Sequence, residues 1–168
     1  TAHAVRRGCA GVLVLPPFYY KAVSDDGLYR AFAELVERVG DDRLRVYLYH
    51  IPPVAQVGIS AALVERLLSA HPRAIAGMKD SSGDFTLTGE YIRLTRGKDF
   101  HVLLGRDTLI HAGLCYGGKG SIAACANVAP RLVADIYDKY VAGDIKGSLE
   151  AQYTLAPLRI AFNLGTFP

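Results

Sequence analysis

The chain has 168 residues, 51% of them apolar and 21% charged, with 17 glycines and 8 prolines, a balance that excludes intrinsic disorder and supports one core burying about 70% of the unfolded-chain surface. Nineteen Lys and Arg against sixteen Asp and Glu give a net charge of +3, and the basic residues are scattered rather than clustered, which points away from nucleic acid. Cys9, Cys115 and Cys125 are odd in number and lack close-pair spacing, which argues against a disulfide framework or a zinc ribbon.

In chain order, residues 1–9 read as the end of a helix running straight into a strand, without the layout of a signal peptide, so the chain is expected to start partway through a longer fold. Short apolar, β-rich runs at 11–15, 45–50, 74–79, 101–104 and 120–124 then alternate with segments of helical period. Each run is nearly continuous in apolar residues, as strands covered on both faces should be. After the first strand, Ser24 is expected to cap a helix whose inner face carries Leu28, Phe32, Leu35, Val36 and Val39, ended by Gly40. Ser60 opens the next, with Leu63, Leu67 and Leu68 inward, and His71-Pro72 closes it. A third follows Asp84 with Leu87, Tyr91, Ile92 and Leu94, and a short fourth runs from Asp107 through Leu114. Beyond Pro130, a helix with Leu132, Val133, Ile136, Tyr137 and Tyr140 inward is expected. A last helix over roughly 145–163 offers Leu149, Tyr153 and Leu158 for packing. The pattern is an α/β fold of about five parallel βα units over 1–142, with the start of a C-terminal helical extension over 143–168. The longest apolar runs fall far short of the ~20 residues of a membrane helix, and a reduced, cytoplasmic chain is the expectation.

Lys79 stands at the end of an apolar strand, where βα loops usually place an active site. An amine there becomes a nucleophile toward carbonyls when its surroundings depress its pKa; from position alone a solvated strand-end lysine is the more ordinary alternative. Tyr49 occupies the matching end of the preceding strand, so adjacent strands would bring its phenol to Lys79 as a proton donor and acceptor, or leave it as a core aromatic. Pro16-Pro17-Phe18-Tyr19-Tyr20-Lys21 lies just past another strand end. The run from Gly113 to Ser121 approaches a P-loop but joins a helix to a strand and lacks the magnesium-binding hydroxyl, so tight-turn glycine explains it better. His50 could be a ligand or a base, although a lone histidine without metal partners is more often structural, and Cys125 reads as a small buried residue.

Taken in order, Pro17-Phe18-Tyr19-Tyr20-Lys21 with Gly27-Leu28-Tyr29, Leu48-Tyr49-His50-Ile51-Pro52, Gly77-Met78-Lys79-Asp80-Ser81-Ser82-Gly83, Leu104-Gly105-Arg106-Asp107 and Gly117-Gly118-Lys119-Gly120-Ser121-Ile122 with Ala126-Asn127-Val128-Ala129 resemble the dihydrodipicolinate synthase and N-acetylneuraminate lyase family of Schiff-base aldolases. The resemblance implies a partial (β/α)8 TIM barrel holding the last five of eight units, with C-terminal helices. It implies Lys79 as the Schiff-base lysine, Tyr49 as the proton relay, and Tyr20, or alternatively Tyr19, as a tyrosine lent across a dimer interface. Ile122, Gly105 and Arg106 become substrate-binding candidates. It further implies a 2-keto acid substrate with an aldehyde partner, a homotetramer built from dimers, and no cofactor, metal, nucleic acid or membrane partner. Two departures stand out: no arginine follows Pro52, where Pro53-Val54-Ala55-Gln56 stands, and the family's Gly-Thr-Thr-Gly segment is absent. Losing a carboxylate clamp disfavours true dihydrodipicolinate synthase activity. The alternatives are a non-catalytic truncated barrel that binds a keto acid or acts as a scaffold and, more weakly, a phosphate-binding barrel.

Overall fold

Apolar runs alternating with capped, amphipathic segments fold into alternating strands and helices. The computed structural model describes residues 1–165, in the order α1 (Ala2–Arg6), β1 (Val12–Val14), α2 (Asp25–Val39), β2 (Val46–His50), α3 (Pro52–Ala55), α4 (Ala61–Ala70), β3 (Ile75–Asp80), α5 (Phe85–Thr95), β4 (His101–Leu104), α6 (Ile110–Tyr116), β5 (Gly120–Ser121), α7 (Pro130–Val141) and α8 (Ile145–Ala161). Three 3-10 turns lie at Asp107–Leu109, Ala124–Asn127 and Phe162–Leu164. The five strands form one sheet in sequence order, and the pairs β1–β2, β2–β3 and β4–β5 are parallel. The five parallel βα units are therefore present. Of the extension expected over 143–168, residues 166–168 lie outside the described residues.

The chain divides into two compact units, Thr1–Val102 and Leu103–Pro168. In the first, the expected caps at Ser24 and Ser60 form, their side chains accepting the N–H groups of Gly27 and Leu63, and Asp84 likewise accepts the Leu87 N–H, satisfying one orphan donor at each helix start. Gly40 closes α2 in the left-handed region at φ 57°. Leu28 and Phe32 from α2 and Leu63, Val64 and Leu67 from α4 bury into one core with Val46, Leu48, Ile75 and Met78 from the strands. Along β2, Val46, Leu48 and His50 are buried while Tyr47 and Tyr49 between them are half-buried, the two-residue alternation of a strand with two different faces. The β2–β3 pairing shifts register once, Val46 opposing Ile75 and Tyr47 opposing Gly77.

The second unit has its own core, with Ile110 and Leu114 from α6, Cys125 from the 3-10 turn at Ala124–Asn127, Val133 and Ile136 from α7, and Ala151 and Leu155 from α8. Three expectations change here. The fifth strand is only Gly120–Ser121, because Ala124–Asn127 coils into a 3-10 turn whose Cys125 N–H donates to the buried Asp107 carboxylate at 2.8 Å. Tyr137 is 41% and Tyr153 60% exposed, rather than inward. The buried stripe of α8 runs instead through Ser148, Ala151, Gln152 and Leu155, at the i, i+3, i+4, i+7 spacing of one helix face. Its two polar members are compatible with burial because they are satisfied: Ser148 Oγ donates to the Ile136 carbonyl at 2.7 Å and Gln152 Nε2 to the Asp107 carbonyl at 2.8 Å. Gly113 and Gly118 allow close approach of Leu104, whose side-chain carbons a Cβ at Gly118 would meet at 2.7 Å. That packing accounts for two glycines of the near-P-loop run without a phosphate.

Candidate active site

Tyr49 and Lys79 oppose each other in the β2–β3 register, so neighbouring strands deliver the phenol and the amine side by side. Lys79 Nζ donates to Tyr49 Oη at 2.9 Å and lies 4.3 Å from the ring centroid. Both side chains are half-buried at the strand ends. Because the phenol oxygen accepts from the Lys79 N–H, its own hydrogen is left for donation to another acceptor.

One register step earlier on the same side, Tyr47 opposes Gly77. A Cβ on Gly77 would stand 2.6 Å from Tyr47 Cε1, and one on Gly11 would stand 2.9 Å from Cε2. The ring thus lies across the sheet between two glycines, and its hydroxyl is 3.3 Å from His101 Nδ1. This aromatic layer lies one register step before the Tyr49–Lys79 layer on the same face. The sequence signal was a glycine inside an otherwise apolar strand, which marks close approach of another group.

On the opposite face, His50 and Asp80 form the next register pair, and both are buried. His50 Nδ1 accepts the Ile59 N–H at 3.0 Å, so the neutral ring carries its proton on Nε2. Tyr91 Oη donates to the Ile59 carbonyl at 2.5 Å, and burial, joined by the charges of Asp80 and Asp84, pushes this phenol's pKa far up and keeps it a donor. The Asp80 carboxylate accepts from Ser82 N–H at 2.9 Å and from Thr88 Oγ1 at 2.5 Å. These bonds clamp the loops that follow β2 and β3 and thereby hold the strand ends carrying Tyr49 and Lys79. His50 is thus structural, as its residue type suggested, but its role as a clamp on Ile59 was not visible in the sequence, which gives no cue to so distant a partner.

Burial lowers the His50 pKa from its ordinary value, against the opposing pull of Asp80 and then Asp84. The folded protein therefore holds this ring neutral while the unfolded chain protonates it near pH ~6.5. Stability from His50 should be complete above that pH and decline as pH falls from there toward the lower folded value, because the unfolded state binds the extra proton. Urea midpoints measured between pH 7 and pH 5 should fall in the parent and fall less in His50→Gln.

The loop after β1 presents Tyr19 and Tyr20, 85% and 79% exposed, with their rings edge to face at 5.2 Å. Lys21 Nζ donates to the carbonyls of Phe18 at 2.6 Å and Ala55 at 2.9 Å, tying this loop to the end of α3. The two tyrosines also line an apolar cleft of about 640 Å³ with Val14, Phe18, Val23 and Phe32. The structure thus brings Lys79 and Tyr49 together, while Tyr20 meets Tyr19 and stands in solvent. In the second unit, Gly105 and Arg106 follow directly after β4 and are half-buried. Ile122, 43% exposed, donates its N–H to the Leu104 carbonyl at 3.0 Å. Among the described residues, no cluster of three His, Cys, Asp or Glu side chains is placed to hold a metal, and no helix is long and apolar enough to cross a membrane.

The family model of the dihydrodipicolinate synthetase family matches residues 1–166. The chain belongs to this family. The 4-hydroxy-tetrahydrodipicolinate synthase of Thermodesulfovibrio yellowstonii is 34% identical over 168 residues, covering 100% of this chain and 55% of that protein. The crystal structure of dihydrodipicolinate synthase from Aquifex aeolicus superposes with a TM-score of 0.90 at 31% identity, over 100% of this chain and 55% of that one. YagE, a family member from E. coli K12 crystallised in complex with pyruvate, gives 0.88 at 28% identity, over 97% of this chain and 54% of that one. The chain thus spans about half the length of the relatives it matches, and its five parallel strands are part of a TIM barrel of the dihydrodipicolinate synthase type.

Proposed function

We propose that the protein carrying this chain is a lyase acting on pyruvate or a longer 2-keto acid through a Schiff base on Lys79. The observation that carries this reading is the 2.9 Å bond between Lys79 Nζ and Tyr49 Oη at matched strand ends. The free amine attacks the ketone carbon while Tyr49 gives its proton to the carbonyl oxygen and takes one back from the nitrogen, leaving a neutral carbinolamine. Expulsion of hydroxide forms the iminium, and the hydroxide receives the phenol proton and departs as water. The resulting phenolate then removes a proton from the carbon next to the iminium, giving an enamine with Tyr49 restored. From that enamine, addition to an aldehyde, carbon–carbon cleavage and loss of a hydroxyl are all open. Membership of a family whose relatives include named synthases, and the pyruvate held by YagE, support the keto-acid assignment.

Tyr20 is proposed to complete the relay from a neighbouring subunit of a homotetramer; its 79% exposure and the Lys21 tie that steadies its loop fit a side chain offered outward. Gly105, Arg106 and Ile122 are proposed substrate contacts. The turn after Pro52 bears no cation, and the nearby Lys21 ammonium is engaged by two backbone carbonyls. A carboxylate-bearing aldehyde therefore lacks a clamp there, which favours an aldolase or dehydratase outcome over dihydrodipicolinate synthesis. The test is borohydride reduction of the full-length protein in the presence of pyruvate, followed by peptide mapping. An added pyruvyl mass on the Lys79 peptide is expected. Saturable pyruvate binding without reducible adduct would instead establish a keto-acid-binding barrel without Schiff-base chemistry.

A further inference from the structure

A chain of hydrogen bonds in the second unit fixes one histidine in the form of a base aimed at a thiol. Ser148 is fully buried and its single hydroxyl hydrogen is donated to the Ile136 carbonyl at 2.7 Å. The 2.9 Å contact between Ser148 Oγ and His111 Nδ1 must then be donated by the imidazole. With its proton on Nδ1, neutral His111 presents a lone pair on Nε2, and Cys115 Sγ lies 3.5 Å from that nitrogen. The base is held on a rigid mount, because the His111 N–H donates to Gln152 Oε1 at 3.1 Å and Gln152 Nε2 in turn donates to the Asp107 carbonyl. Cys115 itself is exposed, so a small reagent can reach the sulfur. Nucleophile, base and orienting hydroxyl follow the general logic of an activated thiol.

The structure assigns Cys115 as a second reactive site, independent of Lys79, at which His111 deprotonates the thiol for attack on a small-molecule disulfide. Cys115 lies in the last turn of α6 and His111 in the first, so the helix dipole disfavours a standing thiolate–imidazolium pair. His111 therefore acts as a general base during attack. The S–H proton passes to Nε2 as Sγ bonds to one sulfur of the disulfide. The S–S bond breaks, the far sulfur leaves with the electron pair as a thiolate, and the imidazolium returns its proton to that thiolate or to water. Cys115 sulfur is oxidised into the mixed disulfide and the departing sulfur is reduced.

Cys9 is also exposed and serves as an internal control. The full-length protein is treated with a substoichiometric aromatic disulfide, bis(3-carboxy-4-nitrophenyl) disulfide, from pH 6 to 9, and each cysteine is quantified by peptide mapping. Without a base, thiol reactivity falls tenfold per pH unit below the thiol's ordinary value of about 8.5. Cys9 should follow that line, whereas Cys115 should show a much shallower pH dependence and react about tenfold or more faster than Cys9 at pH 7. His111→Gln should return Cys115 to the tenfold slope, and Ser148→Ala, which frees the tautomer, should give an intermediate rate. Parallel profiles for the two cysteines in the unmutated protein overturn the assignment without recourse to any variant, as does an unchanged Cys115 profile in a folded His111→Gln protein. Neither outcome bears on imine formation at Lys79.

Discussion

In the full-length protein, Lys79→Ala is expected to remove the borohydride-trapped adduct altogether and to lower kcat by roughly 10⁴-fold or more, since the proposed covalent intermediate forms on that amine. Tyr49→Phe should behave differently. The phenylalanine keeps the ring against the Lys79 stem but removes the oxygen that the amine contacts at 2.9 Å, so the adduct should still form, slowly, while kcat falls by about 10² to 10⁴. Single-turnover trapping separates the two cases: loss of nucleophile abolishes the adduct at any time, whereas loss of relay delays it. Normal turnover by Lys79→Ala would sink the proposed mechanism.

The largest structural effect is expected at Gly77. Its Cβ would strike the Tyr47 ring at 2.6 Å, and the His101 carbonyl also stands in its way. A backbone oxygen and a ring wedged between two strands have little room to retreat, so Gly77→Ala should cost about 1–3 kcal/mol through overpacking. Tyr47 lies one layer beneath Tyr49 on the same face, so the displaced ring should also misalign the phenol above it. Chemical denaturation and kcat measured together check this, with both expected to fall. Adding Tyr47→Leu should restore part of the lost stability, because the smaller side chain vacates the contested space; strict additivity of the two changes would argue against the clash.

The opposition of Tyr49 and Lys79 at the candidate site was legible because each stands at the end of an apolar run, and parallel strands align such ends. The caps at Ser24 and Ser60 were legible for a similarly local reason: the acceptor and the donor it satisfies lie three residues apart. What escaped the sequence depends on distant partners. Nothing near His50 announces that its ring holds the Ile59 N–H, and Ser148 and Gln152 look like surface residues until the carbonyls of Ile136 and Asp107 are known to await them. Tyr137 and Tyr153 were drawn inward by their apolar character alone, yet a phenol tolerates a wet edge and the helices turned smaller, hydrogen-bonded side chains to the core. The fifth strand is shorter than its apolar run because the Asp107 carboxylate captures the Cys125 amide and coils the chain, a partner eighteen residues away that the run itself does not reveal.

The shift in register at the foot of β2 and β3 settles which side of the wall the amine inhabits. Val46 and Tyr47, being consecutive, face opposite ways, and so therefore do their partners Ile75 and Gly77. In an unbroken strand, Ile75, Gly77 and Lys79 would share one side, and with Ile75 committed to the oily layer beneath the helices, the amine would be interred with it. The surplus residue Ala76 acts as a half-turn in the strand's parity. Pairing that single alanine with Tyr47 would present Met78, rather than Lys79, to Tyr49, whereas deleting it should leave the amine and the phenol opposed across an unbroken ladder.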